Sequence, residues 1–181
     1  MNEVIQMRNE AYSKGLKDLI NVIKQTHPRV MVEIGSYQGE STAIFAEMLP
    51  NTIIYAIDPW MNGYDKKDIS SEQYDMSLVE QNFDERTKLF SNVKKIKNTS
   101  LEAVKLFDDN SLDFVYVDGI HRYDAVTNDL NAWLPKLKKK RYVGGHDYLE
   151  RCFMRVVRAV NDKVGKPDQR FEDTSWLKFV K

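Results

Sequence analysis

Residues 30–41 read VMVEIGSYQGES, a short apolar run followed directly by a glycine-containing turn. The first five residues are mostly β-branched and too few for a helix, so they predict a strand buried on both faces. Gly35 permits a tight turn from this strand into a helix that carries Ile44 and Phe45. A strand, a glycine turn and a helix together form the repeating unit of a parallel α/β sheet.

The same unit recurs along the chain. Further apolar runs predict strands at 52–57, 93–97, 112–117 and 141–143. Apolar residues at helical spacing predict helices near 10–26, 78–89, 101–107, 126–137 and 150–163. Two last strands, near 169–173 and 176–180, have no helix between them and therefore form an antiparallel hairpin. Together these elements predict a Rossmann-like, doubly wound α/β fold whose seven-stranded sheet is mostly parallel.

No internal repeat, low-complexity tract or linker interrupts these elements, so we expect residues 1–181 to form a single domain. Its first part, 1–28, is an N-terminal helical segment. The polar and aromatic stretch 59–75 is expected to be a lid loop because it has no hydrophobic periodicity. Three aromatic residues in or beside this loop either form an apolar wall for a ligand or anchor the loop: Trp60, Tyr64 and Tyr74.

The 27 basic residues balance the 27 acidic ones, so no net charge draws the chain to nucleic acid or to anionic lipid. No apolar stretch has the length of a signal region or a membrane span. We therefore expect a cytoplasmic protein without nucleic-acid or membrane partners, whose oligomeric state the sequence does not indicate. The basic run 136–141 is expected to be a solvated turn, and the lone Cys152 a core thiol on an apolar helix face.

The turn after the first strand has the pattern E-x-G-x-x-x-G, from Glu33 to Gly39, and the second strand ends in Asp58. An acidic side chain at that strand end can accept hydrogen bonds from the two hydroxyls of a ribose. The glycine spacing matches neither the phosphate-binding P-loop nor the dinucleotide pattern G-x-G-x-x-G. Together these features favour a nucleoside ligand. The alternative is an ordinary strand-to-helix turn followed by a capping aspartate.

Four side chains able to bind metals or transfer protons follow the fourth and fifth predicted strands: Asp118, His121, His146 and Asp147. Ligands of parallel α/β sheets bind beyond the carboxyl ends of the strands, where these residues lie. Carboxylates and imidazoles can hold a divalent cation, and a histidine titrates close enough to neutral pH to act as a general base. The alternative is that Asp118 and Asp147 only cap the helices that follow them.

At these residues the sequence resembles the class I S-adenosylmethionine-dependent methyltransferases. It is most similar to the small-molecule O-methyltransferases that methylate sugar hydroxyls and macrolide sugars, and more distantly to catechol O-methyltransferase. The resemblance extends from about residue 30 to residue 148 and rests on three motifs: VEIGSYQGES at 32–41, DFVYVDGIHRY at 113–123 and GGHDY at 144–148. It implies methyl transfer from S-adenosylmethionine to a small-molecule or glycan hydroxyl.

The resemblance also implies roles for individual residues. The cofactor would be held by the first turn, by the acids that end the second and fourth strands, and near its adenine by a serine after the third strand: Glu33, Gly35, Ser36, Tyr37, Gly39, Ser41, Asp58, Asp118 and Ser100. The metal-dependent relatives place Mg²⁺ ligands at the positions of Asp118, His146 and Asp147, and their general base at that of His121. His146 departs from the Glu or Asp that these relatives often carry.

Two other hypotheses remain open. The first keeps the cofactor without a metal, with His121 or His146 acting directly as the base or with a nitrogen as the acceptor. Turnover that is insensitive to chelators would distinguish it. The second is a nonenzymatic nucleoside-binding Rossmann-like domain, which would bind the cofactor tightly and turn over no acceptor.

Overall fold

Within residues 3–66 and 69–181, which the computed structural model describes, seven strands form one sheet. They are β1 (Val30–Ile34), β2 (Ile53–Asp58), β3 (Val93–Lys97), β4 (Leu112–Val117), β5 (Leu137–Gly145), β6 (Gln169–Arg170) and β7 (Trp176–Val180). Their order across the sheet is β3-β2-β1-β4-β5-β7-β6. Strands β1 to β5 pair in parallel, whereas β7 is antiparallel to both β5 and β6. The predicted fold class, including the antiparallel C-terminal hairpin, is confirmed.

The helices of the described residues cover both faces of the sheet. They are α1 (Glu3–Lys24), α2 (Glu40–Met48), α3 (Ile69–Gln73), α4 (Met76–Thr87), α5 (Ser100–Ala103), α6 (Tyr123–Trp133) and α7 (Glu150–Val164). Helices α1 and α2 pack with β1 and β4 in one apolar cluster, and α6 and α7 pack in another on the opposite face. None of the helices in the described part of the chain is long and apolar enough to cross a bilayer.

The alternation of side chains along β1 explains why helices are needed on both faces. Met31 packs in the cluster with α1 and α2, while Val32 and Ile34 pack in the cluster with α6 and α7. All six residues of β4 are buried, as expected for a central parallel strand. The strand order reverses between β1 and β4, so a ligand crevice is expected beyond the carboxyl ends of these two strands.

The basic run 136–141 lies mostly in β5, so the predicted solvated turn is wrong. Lys138 Nζ and Arg141 Nη2 lie 3.0 Å and 3.1 Å from Oδ1 of Asp113, a buried residue of β4. Burial disfavours the charged form of Asp113, but hydrogen bonds from the backbone N–H groups of Arg29 and Val30 and from Lys138 outweigh it and lower the pKa of the carboxyl. Two residues of the run therefore form structural ion pairs with Asp113. These lie near the amino end of β4, opposite the expected crevice.

The prediction that Cys152 is a core thiol is also wrong, because its side chain is exposed. Helix α7 has a non-helical backbone at Phe153, with φ −124° and ψ 44°. This kink separates Cys152 from the regular helical turns in which Val156, Val157 and Val160 are buried. The apolar periodicity of the later turns therefore does not extend back to the cysteine.

Candidate functional site

The turn after β1 is fixed by close contact with the end of β4. Gly35 has φ +86°, and a Cβ atom at this position would lie 2.2 Å from the carbonyl oxygen of Asp118. The Gly35 N–H donates to the carbonyl of Ile57 at 2.9 Å, which joins the turn to β2 as well. Only glycine combines this backbone conformation with this approach. The turn thus lies at the point where the strand order reverses.

Glu33 stabilises this turn through hydrogen bonds to its carboxylate. Its side chain points to the same face as Met31, towards α2, and is completely buried. Its carboxylate accepts hydrogen bonds from the hydroxyls of Ser36 at 2.8 Å, of Ser41 at 2.5 Å and of Thr42. Burial raises the pKa of Glu33, while the three hydroxyls oppose that shift. Glu33, Ser36 and Ser41 were predicted as cofactor residues, and their side chains bind one another beneath the turn.

Gly39 and Tyr37 complete the turn. Gly39 precedes α2 with φ +78°, and a Cβ atom there would lie 2.9 Å from the ring of Phe83 on α4. Gly39 therefore permits the contact between α2 and α4. Tyr37 has φ +43°, and its N–H donates to Oδ2 of Asp58 at 3.0 Å.

Asp58 ends β2 and is almost fully buried. Its Oδ2 atom accepts the N–H of Tyr37, and its Oδ1 atom accepts the N–H of Trp60 at 2.9 Å. A carboxylate can accept about four hydrogen bonds, so these two backbone donors are compatible with additional donors such as ribose hydroxyls. Asp58 thereby links the turn after β1 to the segment that follows β2, beside the crevice.

The segment 59–75 is not entirely a loop, since it contains α3. Trp60 is buried, donates from Nε1 to the carbonyl of Tyr37 at 2.7 Å and packs on Phe83 with 4.7 Å between ring centroids. Of the two roles left open for it, the structure assigns Trp60 that of an anchor. Asp65 of this segment binds Arg122, which follows His121, at 2.6 Å between Oδ2 and Nη1. The segment is therefore tied to the end of β4.

Ser100 lies in a polar cluster that the sequence did not predict. Its hydroxyl donates to Oδ1 of Asp129 at 2.5 Å and accepts from Nε1 of Trp133 at 2.8 Å. A Cβ atom on Gly119 would lie 3.8 Å from the other carboxylate oxygen of Asp129. Burial raises the pKa of Asp129 to about 6. Asp129 lies on the buried face of α6 with Val126 and Trp133. An acid at helical spacing with these apolar residues could have been predicted from the sequence as a buried functional or structural group.

Asp118, His121, His146 and Asp147 meet beyond the ends of β4 and β5 and are called here the acid–histidine cluster. His121 Nε2 lies 2.6 Å from Oδ2 of Asp147, and His146 Nδ1 lies 3.2 Å from Oδ1 of the same carboxylate. His146 Nδ1 also lies 3.9 Å from Oδ1 of Asp118. The alternative of helix capping is wrong, because α6 and α7 follow Arg122 and Leu149 without a side-chain cap.

The surroundings of the two acids of the cluster shift their pKa values in opposite directions. Burial raises the pKa of Asp118 to about 7, with a further contribution from the negative charge of Asp147 and an opposing one from His146. Burial also disfavours the charged form of Asp147, but hydrogen bonds from the two histidines hold its pKa well below the usual range. Such a separation between neighbouring acids is a property of many catalytic sites.

The two histidines have raised pKa values and differ in exposure. The hydrogen bond to Asp147 raises the pKa of His121, whose side chain is 51% exposed. Burial lowers the pKa of His146, but Asp147 and Asp118 outweigh it and raise the value to about 9. The His146 side chain is only 13% exposed. His121 is thus the imidazole that an incoming molecule can reach.

Asp147 is held in a sparsely populated backbone conformation, with φ +61°. The N–H of the following residue, Tyr148, donates to the carbonyl of Thr174 at 3.0 Å, and His146 Nε2 lies 3.4 Å from the Thr174 hydroxyl. The C-terminal hairpin region therefore fixes the end of β5 from the side. Strain of this kind persists where surrounding contacts over-determine a residue.

The donor set of the cluster fits a divalent cation. Asp118, His121 and Asp147 each offer a ligand atom, and these atoms all lie within 4.8 Å of one another. Carboxylate oxygens suit Mg²⁺ and Mn²⁺, whereas imidazole nitrogens suit softer ions such as Fe²⁺ and Zn²⁺. The resemblance implied His146 as the third ligand, while this geometry groups His121 with the two acids. Both imidazoles contact Asp147, and His146 Nδ1 also lies 3.9 Å from Oδ1 of Asp118.

Comparison with known proteins gives a family match over most of this site. A family model described as "Methyltransferase domain" matches residues 32–148. Protein R132 of Acanthamoeba polyphaga mimivirus is 30% identical over 139 residues, which are 72% of this chain and 57% of that protein. Protein y4gI of Sinorhizobium fredii is 28% identical over 130 residues, 70% of this chain and 14% of that protein. The chain therefore spans less than two thirds of the length of these relatives.

Solved structures share the fold at low sequence identity. An O-methyltransferase from Bacillus cereus in complex with SAH has a TM-score of 0.64 and 14% identity, and the match covers 99% of this chain and 90% of that one. Cofactor-bound Rv0187 from MTB has a TM-score of 0.65 and 13% identity, with 91% and 78% covered. At these identities the likeness is one of fold.

Proposed function

This chain belongs to a family of methyltransferase domains, and on that premise we propose that it transfers a methyl group from S-adenosylmethionine to a hydroxyl of a small molecule or glycan. The Gly35 turn, Asp58 and Ser100 lie at or just after the carboxyl ends of β1, β2 and β3, where the ligand crevice is expected. We assign the ribose hydroxyls to Asp58 and the adenine to the side near Ser100. The methionine part then lies towards Asp118, beside the acid–histidine cluster.

The observation that carries this proposal is the convergence of two acids and two histidines at the ends of β4 and β5. A nucleoside-binding domain without catalysis has no need for acids whose pKa values are separated in this way. Methyl transfer to a hydroxyl, in contrast, needs a group that accepts the hydroxyl proton. The half-exposed His121 meets that need, because its ring lies at the mouth of the crevice and Asp147 orients it.

S-adenosylmethionine supplies a methyl group that its sulfonium already activates, so the protein mainly has to align the acceptor oxygen behind the methyl carbon. As the oxygen–methyl bond forms, the bond from methyl to sulfur breaks. The hydroxyl proton passes to the His121 nitrogen opposite Asp147, Nδ1. The negative charge of Asp147 stabilises the imidazolium that results, through the 2.6 Å contact with Nε2.

We further propose that Asp118 and Asp147 hold a divalent cation with His146 as third ligand, which leaves His121 available as the base. Such an ion lowers the pKa of a hydroxyl that binds it and balances the two carboxylates. His146 Nδ1 lies 3.2 Å from Oδ1 of Asp147 and 3.9 Å from Oδ1 of Asp118, and these short distances support the assignment.

A second candidate is methyl transfer without a metal. The contacts of the Asp147 carboxylate with both His121 and His146 favour it. Two histidines with raised pKa values already supply positive charge around the carboxylates. In that case His121 acts as the base with Asp147 alone behind it. The crevice and the methyl donor are the same in both candidates.

The deciding experiment is a turnover assay with S-adenosylmethionine and a panel of hydroxyl acceptors, with Mg²⁺, with Mn²⁺ and after exhaustive chelation. We expect turnover that requires a divalent ion and is abolished by Asp118→Ala and Asp147→Ala. Asp108→Ala, which removes an exposed acid before the start of β4, at the opposite end of the strand from the cluster, should leave it unchanged. Turnover that survives chelation supports the metal-free candidate. Cofactor binding without turnover of any acceptor contradicts both.

A further inference from the structure

Helices α6 and α7 begin on either side of the acid–histidine cluster. Helix α6 starts at Tyr123, just after His121, and α7 starts at Glu150, just after Asp147. The ring of Phe153 on α7 lies 5.2 Å from the ring of His121. The space between α6 and α7 therefore lies near His121.

A cavity of about 450 Å³ occupies this space and is lined by Tyr123, Met154, Arg155 and Arg158. Small-molecule sites usually have volumes of roughly 300–1,000 Å³, so the cavity is large enough for part of a small substrate. The Met154 side chain is 58% exposed and, with the Tyr123 ring, provides an apolar surface. Because the Met154 side chain is exposed, it is not part of the buried core.

Two of the four residues that line the cavity are arginines. The Arg158 guanidinium lies over the Tyr123 ring at 5.2 Å, and its Nε is 3.8 Å from a carboxylate oxygen of Asp162. The Tyr123 hydroxyl donates to the same oxygen at 2.9 Å. Within residues 3–66 and 69–181, the Arg155 guanidinium forms no hydrogen bond or ion pair. Two arginines and one neighbouring acid therefore flank a cavity whose own surface is mostly apolar.

We propose that this cavity binds an anionic group of the methyl acceptor, a carboxylate or a phosphate, through Arg155 and Arg158. The planar fork of a guanidinium matches both anions, and that of Arg158 already lies over the Tyr123 ring. The acceptor's reacting hydroxyl lies at the acid–histidine cluster and its apolar part lies on Met154 and Tyr123. This assignment of substrate class rests on the proposed function, since it takes the cluster as the place of reaction.

The test uses two matched pairs of probes, catechol with 3,4-dihydroxybenzoate and glucose with glucose 6-phosphate. Their dissociation constants are measured by calorimetry in the presence of S-adenosylhomocysteine, and their kcat and KM by turnover. For at least one pair we expect the charged member to bind about tenfold or more tightly than the neutral one, as one charge-assisted contact allows. The carboxylate and phosphate arms distinguish which anion is preferred.

Arg155→Ala is the informative variant because the guanidinium it removes has no partner in the described chain. We expect it to bring the two members of the preferred pair to similar affinity. Arg158→Ala should do the same, and Lys163→Ala, which removes an exposed cation from the last turn of α7, should not.

Equal affinity for charged and neutral members in the wild-type protein overturns the proposal, as does a preference that survives Arg155→Ala and Arg158→Ala. If no acceptor is turned over at all, the proposed function fails. The calorimetric comparison then still decides whether the cavity binds anions.

Discussion

His121 and Asp147 face each other beyond the ends of β4 and β5, with 2.6 Å between Nε2 and Oδ2. The second oxygen of Asp147 faces His146 at 3.2 Å, so one carboxylate binds two imidazoles. Each partner comes from a different sequence motif, and the parallel pairing of β4 with β5 brings them together. The central claim of the proposed mechanism is that this pairing prepares His121 to accept a proton.

The first prediction concerns the Gly35 turn. Gly35→Ala should destabilise the protein by about 2 kcal/mol or more, because the added Cβ meets the Asp118 carbonyl in addition to the unfavourable positive φ. The measurement is urea unfolding. Gly63→Ala is the control, since Gly63 also has a positive φ, +64°, but an added Cβ atom there would make only an ordinary contact, 3.6 Å from Oε1 of Glu72. Equal losses in both variants would mean that contact with Asp118 is unimportant.

The second prediction concerns Asp58. Asp58→Ala should weaken binding of S-adenosylhomocysteine, because each hydrogen bond to a ribose hydroxyl contributes about 0.5–1.5 kcal/mol. Calorimetry measures the affinity. Far-ultraviolet circular dichroism checks that losing the hydrogen bonds from the Tyr37 and Trp60 N–H groups has not unfolded the variant. Affinity equal to that of the wild-type protein in a folded variant contradicts the ribose assignment.

The third prediction concerns the pH dependence of stability. Burial raises the pKa of Asp129 to about 6, so the folded chain binds a proton there more tightly than the unfolded chain. The free energy of unfolding should therefore fall as the pH rises from about 4 to about 6, by up to about 3 kcal/mol from this group. Asp129→Asn should remove this slope, since an amide does not titrate and can still accept from Ser100.

Urea unfolding at several pH values between 4 and 7.5 measures this effect as the difference between the wild-type protein and the variant. Asp108→Asn, an exposed acid on the surface, is the control and should follow the wild-type curve. A constant difference between the wild-type protein and Asp129→Asn across the range would show that Asp129 does not titrate differently on folding.

Much of the fold was predictable because the central strands are buried on both faces. Such strands appear as uninterrupted apolar runs, and β4 has no exposed residue. The ends of these runs also located Asp118 and Asp147 at neighbouring strand ends. Their proximity follows from parallel pairing alone, which needs no knowledge of side-chain conformation.

The errors have local physical reasons. Leu137 fits the helical spacing of Val126, Leu130 and Trp133, but it begins β5, because α6 ends at Trp133 and a 3-10 turn containing Pro135 follows. The apolar periodicity around Cys152 is broken by the kink at Phe153. Spacing along the chain reports neither the end of a helix at a short turn nor a kink within one.

The hydrogen-bond partners of the buried polar side chains could not be predicted from the sequence. Glu33 is bound by hydroxyls of the following turn and helix, and Ser100 binds Asp129 from a different helix. These contacts depend on how the helices pack on the sheet, which periodicity does not specify. The resemblance assigned Glu33 and Ser100 to the cofactor, whereas the structure adds their protein partners.

The most direct measurement of the central claim is the turnover of His121→Gln on an accepted substrate across pH. If His121 takes the proton, kcat should fall by roughly 10²–10⁴, while affinity for S-adenosylhomocysteine and for Mn²⁺ stays within a fewfold of the wild-type values. In the wild-type protein kcat should rise with pH along a limb displaced above 6.5, because Asp147 raises the pKa of His121, and the variant should lose this limb. A folded His121→Gln protein with near-native turnover and the same pH profile would contradict the account.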